Sequence, residues 1–343
     1  MRQQVTAAAT HSYNESVQKT LSVINLAAIE RNAAHIKSLI CGRRLYAVVK
    51  ADAYGHGAER VALQLESVAD GFCVAIPEEG AALRIVGVSK PILVLTPLCS
   101  EEDAAICRFY GLEVSINSVR SARLGKGLSC HIKVNTGMNR YGCNLSQLPD
   151  VLDAAKDCGA NIVGLFSHMY CAHIARERDS QLAVFNRAEE LVKRTYPQVF
   201  CHISASSGAM LGGEYLKDGV RCGIALYGYA PHGFSREGLE RALTIYARKV
   251  QTSPVCGRGV GYAVAERRYE NLSAYRCGYA DGFFRGVPLG EGNLCMDAFV
   301  SRDTSPLVPV FTDADEYAAR CGTISYEVLC SVTRRSERVY ICD

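Results

Sequence analysis

Residues 44–57 read Arg-Leu-Tyr-Ala-Val-Val-Lys-Ala-Asp-Ala-Tyr-Gly-His-Gly, and this spacing could do chemistry. Residues 45–49 are an apolar run, β-branched at the end, of the length of a buried strand. Lys50 follows at its mouth. An ammonium flanked by apolar side chains is poorly solvated, so its pKa falls. The neutral amine can form a Schiff base with an aldehyde. Tyr54 adds a hydroxyl, and Gly55 and Gly57 break any regular element around His56. The plainer alternative is a solvated lysine at a strand end.

Other segments carry isolated reactive side chains. Arg140 closes His131-Ile-Lys-Val-Asn-Thr-Gly-Met-Asn-Arg, and its planar fork suits a carboxylate. His168 ends an apolar run, where a lone histidine is more often a core residue than a catalyst. His168 and His173 lack a third ligand at metal spacing, so no metal is expected. Ser206 sits in a Ser-Ser-Gly turn, where hydroxyls and backbone N–H groups can bind an oxyanion. Arg221 lies inside an apolar strand and demands a partner, either a buried acid or a ligand. Tyr279 is in Cys-Gly-Tyr-Ala-Asp-Gly, and a free tyrosine titrates near 10. Gly257, Gly259 and Gly261 do not make the dinucleotide fingerprint, and no helical pattern follows them.

The elements that must position these residues alternate. Residues 29–40 carry isoleucines and alanine at helical spacing, with Asn25 as a cap. Strand-like runs occur at 45–49, 72–76, 92–95, 112–116, 132–134, 162–166, 199–203 and 220–227, with helical stretches between. Eight such repeats match a (β/α)8 barrel, although counting alone leaves a doubly wound sheet open. Lys50, Thr136, His168, Ser206 and Arg221 fall at strand ends or in the last strand, where a barrel builds its site. After Pro231 the pattern changes to β-branched and aromatic runs with glycine turns. The expected organisation is a flexible tail over 1–19, a barrel over 20–235 and a mostly β domain over 236–343. A strand within 20–25 is a candidate to join that second domain.

The totals exclude several classes. A net charge of +3 on 343 residues, without a basic run, argues against nucleic acid or membrane surfaces. The sixteen cysteines include no Cys-x-x-Cys pair and many lie in apolar runs, which suits small buried hydrophobes in a reducing, cytoplasmic setting. Residues 1–20 lack the apolar core of a signal peptide.

The segment around Lys50 resembles the pyridoxal-phosphate lysine motif of the alanine racemases almost residue for residue. From about Leu26 to the C-terminus the chain is similar to that family. The resemblance implies pyridoxal 5'-phosphate bound through Lys50, with Tyr54, Ser206, Gly223 and Ile224 at the phosphate and Arg221 at the pyridine nitrogen. An arginine keeps its proton, so the ring would be a weaker electron sink, favouring proton exchange at Cα over decarboxylation. Lys50 and Tyr279 would be the two bases, the tyrosine coming from the other subunit of a head-to-tail homodimer, with His168 beside it. Arg140 and the backbone at Met296 would hold the substrate carboxylate. Lys133 matches a lysine often carbamylated in the family, and Asn135 replaces the usual aspartate after it. The function implied is interconversion of L- and D-alanine for peptidoglycan.

The chain departs from the pattern in its second half. Tyr279 and Met296 stand much closer in sequence than is usual, and the 303–321 region is short. Arg334 replaces a late tyrosine that contacts the phosphate and narrows the pocket, a place from which an arginine could still hold the phosphate. A serine or broad-specificity racemase is therefore an alternative. So is a pyridoxal-phosphate carrier without catalysis, although such carriers lack the second domain. The blandest reading is a sugar- or phosphate-binding barrel in which Lys50 pairs with an acid.

Overall fold

Strand β1 (Leu21–Asn25) leads directly into the helix Leu26–Leu39. The Asn25 side chain accepts from the Ala28 N–H at 2.9 Å, which caps one of the helix's open donors. Ile29, Ala33, Ile36 and Ile40 are fully buried, as their spacing requires. The computed structural model describes residues 20–342. The tail expected over 1–19 lies outside the described residues. Two compact units result among the described residues: residues 29–53 with 58–240, and residues 20–28, 54–57 and 241–342.

The first unit is the barrel. Its strands are β2 (Arg44–Val48), β3 (Gly71–Val74), β4 (Ile92–Pro97), β5 (Glu113–Ile116), β6 (Ser129–Lys133), β7 (Asn161–Phe166), β8 (Phe200–His202) and β9 (Gly219–Cys222). All pair in parallel, in the order β8-β7-β6-β5-β4-β3-β2-β9. Between β8 and β9 the backbone bonds Asp218 N–H to Cys201 O (3.0 Å) and Arg221 N–H to Ser204 O (2.9 Å) bring the ring near closure. Helices between the strands cover the outer face, so runs such as Phe72-Cys73-Val74 are buried on both sides. Each such side chain contributes roughly 1.5–3 kcal/mol by leaving water.

One expected strand is shorter than its apolar run. Residues 220–227 read as one strand, but β9 stops at Cys222. Gly223 turns the backbone (φ −116°, ψ −86°), and Ile224–Tyr227 coils into a 3-10 turn. The apolar pattern persists because the turn itself is buried.

The second unit is built on a sheet ordered β14-β13-β10-β1-β16, with β15 also on β10. Besides β1 its strands are β10 (Leu243–Pro254), β13 (Asn271–Arg276), β14 (Phe299–Ser301), β15 (Leu307–Phe311) and β16 (Glu337–Ile341), while β11 (Gly259–Val260) and β12 (Ala263–Val264) pair apart from it. β1 runs antiparallel to β10 and parallel to β16. Two short helices, Ala314–Cys321 and Ser325–Ser331, complete the unit. Gly259 and Gly261 belong to the small β11–β12 hairpin and Gly257 to the turn before it, rather than to a phosphate loop.

Candidate active site

Within the barrel unit, β2 delivers Lys50 just beyond its C-terminal end. The Tyr227 hydroxyl donates to Val48 O at 2.9 Å and pins that strand end. The backbone after Lys50 is left-handed: Ala51, Asp52, Ala53 and Tyr54 all have φ of 51–54°. Non-glycine residues in this region cost roughly 1–2 kcal/mol each, and such strain clusters at functional sites. Glu79 holds the turn, accepting from the Ala51 N–H at 2.7 Å and the Ala75 N–H at 2.6 Å. The Asp52 carboxylate accepts from the Ala58 N–H at 2.9 Å.

Arg221 projects from β9 into the barrel and is 3% exposed. Its Nη1 donates to His202 Nδ1 (2.7 Å) and His202 O (3.0 Å), and its Nη2 to Ser167 O (2.5 Å) and Ile203 O (3.3 Å). Among the described residues no carboxylate pairs with it, so the buried-acid alternative fails. Burial lowers its pKa to about 10, which still leaves it charged at neutral pH. The four bonds occupy both terminal nitrogens and leave Nε–H as the donor for a ligand atom.

Ser206 opens the short helix Ser206–Leu211 and is 2% exposed. Its hydroxyl oxygen faces the N–H groups of Gly223 (3.3 Å) and Ala225 (3.4 Å), the donors freed where β9 ends. A hydroxyl and converging backbone donors form an oxyanion cradle. Ala225 joins the residues expected there, and the only sequence signal for it is the glycine two residues earlier. Ile224 is buried beside it.

Lys133, Arg140 and His168 meet around one small cavity with Thr136, Met138 and Ser167. Lys133 is buried and its Nζ lies 4.3 Å from the Phe166 ring centre. Burial, then Arg221 and Arg140, push its pKa well below the usual lysine range. His168 is likewise held neutral, by burial and by Lys133, Arg221, Arg140 and Lys50. Arg140 is exposed. Asn135 organises its own loop, bonding Asn139, Asn144 and the N–H groups of Gly137 and Asn139.

In the second unit, Tyr279 and Met296 are neighbours despite their short sequence interval. Tyr279 N–H donates to Cys295 O (3.1 Å) and Ala280 N–H to Met296 O (2.9 Å). Gly278 is required there, since a Cβ would sit 2.2 Å from Met296 O. Arg276, Asp281, Asp297 and Arg335 form an ion-pair network around this loop. Tyr54 is buried with its ring 6.0 Å from that of Tyr326. A Cβ on Gly55 would lie 2.5 Å from Leu329 O, so this glycine lets two stretches of backbone pack closely. Arg334 is exposed.

Residues 24–231 match the family model of the alanine racemase N-terminal domain. A relative named alanine racemase, from Streptococcus equi, is 32% identical over 94% of this chain and 98% of its own length. The chain belongs to the alanine racemase family. The aligned span of 368 positions exceeds these 343 residues, so that racemase carries residues with no counterpart here. The alanine racemase of Clostridium difficile has a similar fold, with a TM-score of 0.86 at 26% identity, covering 96% of this chain and 97% of that one. The biosynthetic alanine racemase of Pseudomonas aeruginosa matches with a TM-score of 0.81 at 28% identity, covering 95% and 100%. Among the described residues no three metal-ligating side chains converge and no helix is long and apolar enough to cross a membrane.

Proposed function

We propose that this racemase-family chain interconverts L- and D-alanine with pyridoxal 5'-phosphate as cofactor. The observation that carries the reading is the set of donors in one barrel. Arg221 keeps a free Nε–H, Ser206 with Gly223 and Ala225 forms an oxyanion cradle, and Lys50 stands on a strained turn. These residues fit a ring nitrogen, a phosphate and an aldehyde. When bound, the cofactor supplies the electron-withdrawing system that acidifies the substrate's α-proton.

The chain's own residues do the rest. Lys50 would bind the aldehyde in the resting protein and, once the substrate's amine has taken its place there, would hold a proton at Nζ on one face of the substrate. Tyr279 of the partner subunit holds a proton at Oη on the other, and two faces are what inversion in both directions requires. A neutral His168 can accept a hydrogen bond from that phenol. Arg140 and the Met296 backbone orient the carboxylate, while Tyr54, Ile224 and Arg334 support the phosphate end. Arg221 cannot surrender its proton, so the ring nitrogen opposite it stays unprotonated. The product would supply peptidoglycan synthesis. All sixteen cysteines are free thiols, which fits a cytoplasmic enzyme.

The test is α-proton exchange in heavy water with alanine and with serine, on protein whose visible absorbance is recorded before and after adding L-alanine. The reading expects a visible band and exchange with inversion of alanine. Faster exchange of serine would change the substrate. A visible band without exchange of either amino acid would leave the carrier reading in place of catalysis.

A further inference from the structure

The interior of this barrel is crossed by a hydrogen-bonded chain of four side chains. Arg221 Nη1 is 2.7 Å from His202 Nδ1. His202 Nε2 is 2.9 Å from His131 Nδ1, and His131 Nε2 is 3.0 Å from Glu113 Oε2. Both imidazoles are essentially inaccessible, whereas the Glu113 side chain keeps 20% of its surface. Glu113 begins β5 and borders a separate open cavity of about 420 Å³, lined also by Arg84, Arg108 and Ser129.

The ends fix the direction of every bond. A guanidinium only donates and a carboxylate only accepts. His202 must therefore offer Nδ1 as a lone pair and carry its proton on Nε2. That proton points to His131 Nδ1, which must also accept, so the His131 proton is on Nε2 and goes to Glu113. Reversing either ring would set two N–H groups, or two lone pairs, against each other.

The surroundings are built for this chain. A Cβ on Gly164 of β7 would lie 1.9 Å from His131 Nδ1, so only glycine leaves room for the ring. His202 lies between Phe166 and Phe200, stacked at 5.1 and 4.6 Å. Barrel interiors are ordinarily filled with branched apolar residues, so two imidazoles there call for a reason.

We propose that Glu113 and His131 are positioning residues that act on Arg221 through His202. Arg221 sets the tautomer of His202 by donating to Nδ1; His131 and Glu113 accept the protons passed on from Nε2 and so hold the imidazole in the orientation that fixes the buried guanidinium and its free Nε–H. Glu113 is also the carboxylate that completes the chain begun by this otherwise unpaired cation. Recognition of a ring nitrogen by Arg221 rests on the proposed cofactor; the tautomers do not.

The experiment is long-range 1H–15N NMR of histidine-labelled full-length protein, with Glu113→Gln and Glu113→Leu variants. Rings would be assigned with His131→Gln and His202→Gln. The chain predicts Nε2–H tautomers at both rings in the unaltered protein. Glu113→Gln keeps an acceptor oxygen and should preserve them. Glu113→Leu strands the His131 donor and should loosen the His131–His202 hydrogen bond and yield mixed tautomers at His131, while Arg221 keeps His202 in its Nε2–H form. With an orphaned buried donor, pyridoxal-phosphate affinity should fall about tenfold in the leucine variant and much less in the glutamine variant. Melting curves identify a variant that fails to fold, and the unaltered spectrum then decides alone. An Nδ1–H tautomer at His202, or a folded Glu113→Leu protein whose His131 signals are unchanged, overturns the proposal. Correct tautomers in a protein that never binds the cofactor would overturn the functional reading instead.

Discussion

Arg221 reaches across from β9 to His202 at the end of β8, and the 2.7 Å contact joins a buried cation to an imidazole that cannot share its charge. Burial and Arg221 itself, followed by His131 and Lys133, hold His202 well below the usual histidine range. The guanidinium is therefore held by acceptors with no net charge, an arrangement that leaves its positive end available to a ligand.

Removing that guanidinium strands three acceptors, His202 Nδ1, Ser167 O and Ile203 O, while His202 O keeps the Ser167 N–H. Arg221→Leu should destabilise the protein by about 3 kcal/mol, because each buried unsatisfied group costs roughly 1–3 kcal/mol and the losses overlap. Thermal melting checks this. Arg221→Lys should keep most stability yet lose racemisation at least about 100-fold, since an ammonium cannot replace the planar fork. Steady-state rates with alanine check that.

Lys133 gives a pH signature. Its folded pKa is depressed, so between that value and the usual lysine pKa the unfolded chain binds more protons than the folded one. Stability therefore rises with pH through this window, up to about 10.5. Lys133→Met, which has no proton to lose, should flatten that slope and be relatively most stabilising at the acid end. Melting temperatures from pH 6 to 10 in carbon-dioxide-free buffer provide the comparison. A neutral buried amine is also the form that takes up carbon dioxide, so labelled bicarbonate should give a carbamate 13C signal that Lys133→Met lacks.

The left-handed turn after Lys50 is sensitive to side-chain shape. Ala51 is exposed with φ 51°, so Ala51→Val meets no packing clash and tests the backbone alone. A β-branched residue there should cost about 1–2 kcal/mol. Activity should fall further than stability, because the turn aims Lys50. Unfolding and rate measurements on the same preparation separate the two.

Tyr279→Phe should reveal the second face. The variant should lose interconversion while still exchanging the α-proton of one enantiomer with heavy water, because Lys50 continues to serve its own side. NMR of each enantiomer after incubation reports this directly. Equal loss of exchange from both enantiomers would remove Tyr279 from its assigned role.

The barrel was legible because its strands are apolar runs separated by helical spacing, and Lys50, His168 and Arg221 interrupt those runs with charge or polarity. The left-handed turn was not legible. Ala-Asp-Ala-Tyr carries no signal for positive φ, and the conformation is imposed by Glu79, 28 residues from Ala51. The Glu113–His131–His202 chain was hidden for a similar reason: its members are 18 and 71 residues apart, and only barrel closure aligns them. The over-long strand at 220–227 arose because a buried 3-10 turn has the same apolar composition as a strand.

The central claim is a covalent bond between Lys50 and the cofactor's aldehyde. Borohydride reduction of pyridoxal-phosphate-loaded protein, followed by peptide mass spectrometry, tests it most directly. The account predicts one phosphopyridoxyl adduct, on Lys50, and none in Lys50→Ala. An adduct on another lysine, or undiminished racemisation by Lys50→Ala, would contradict it.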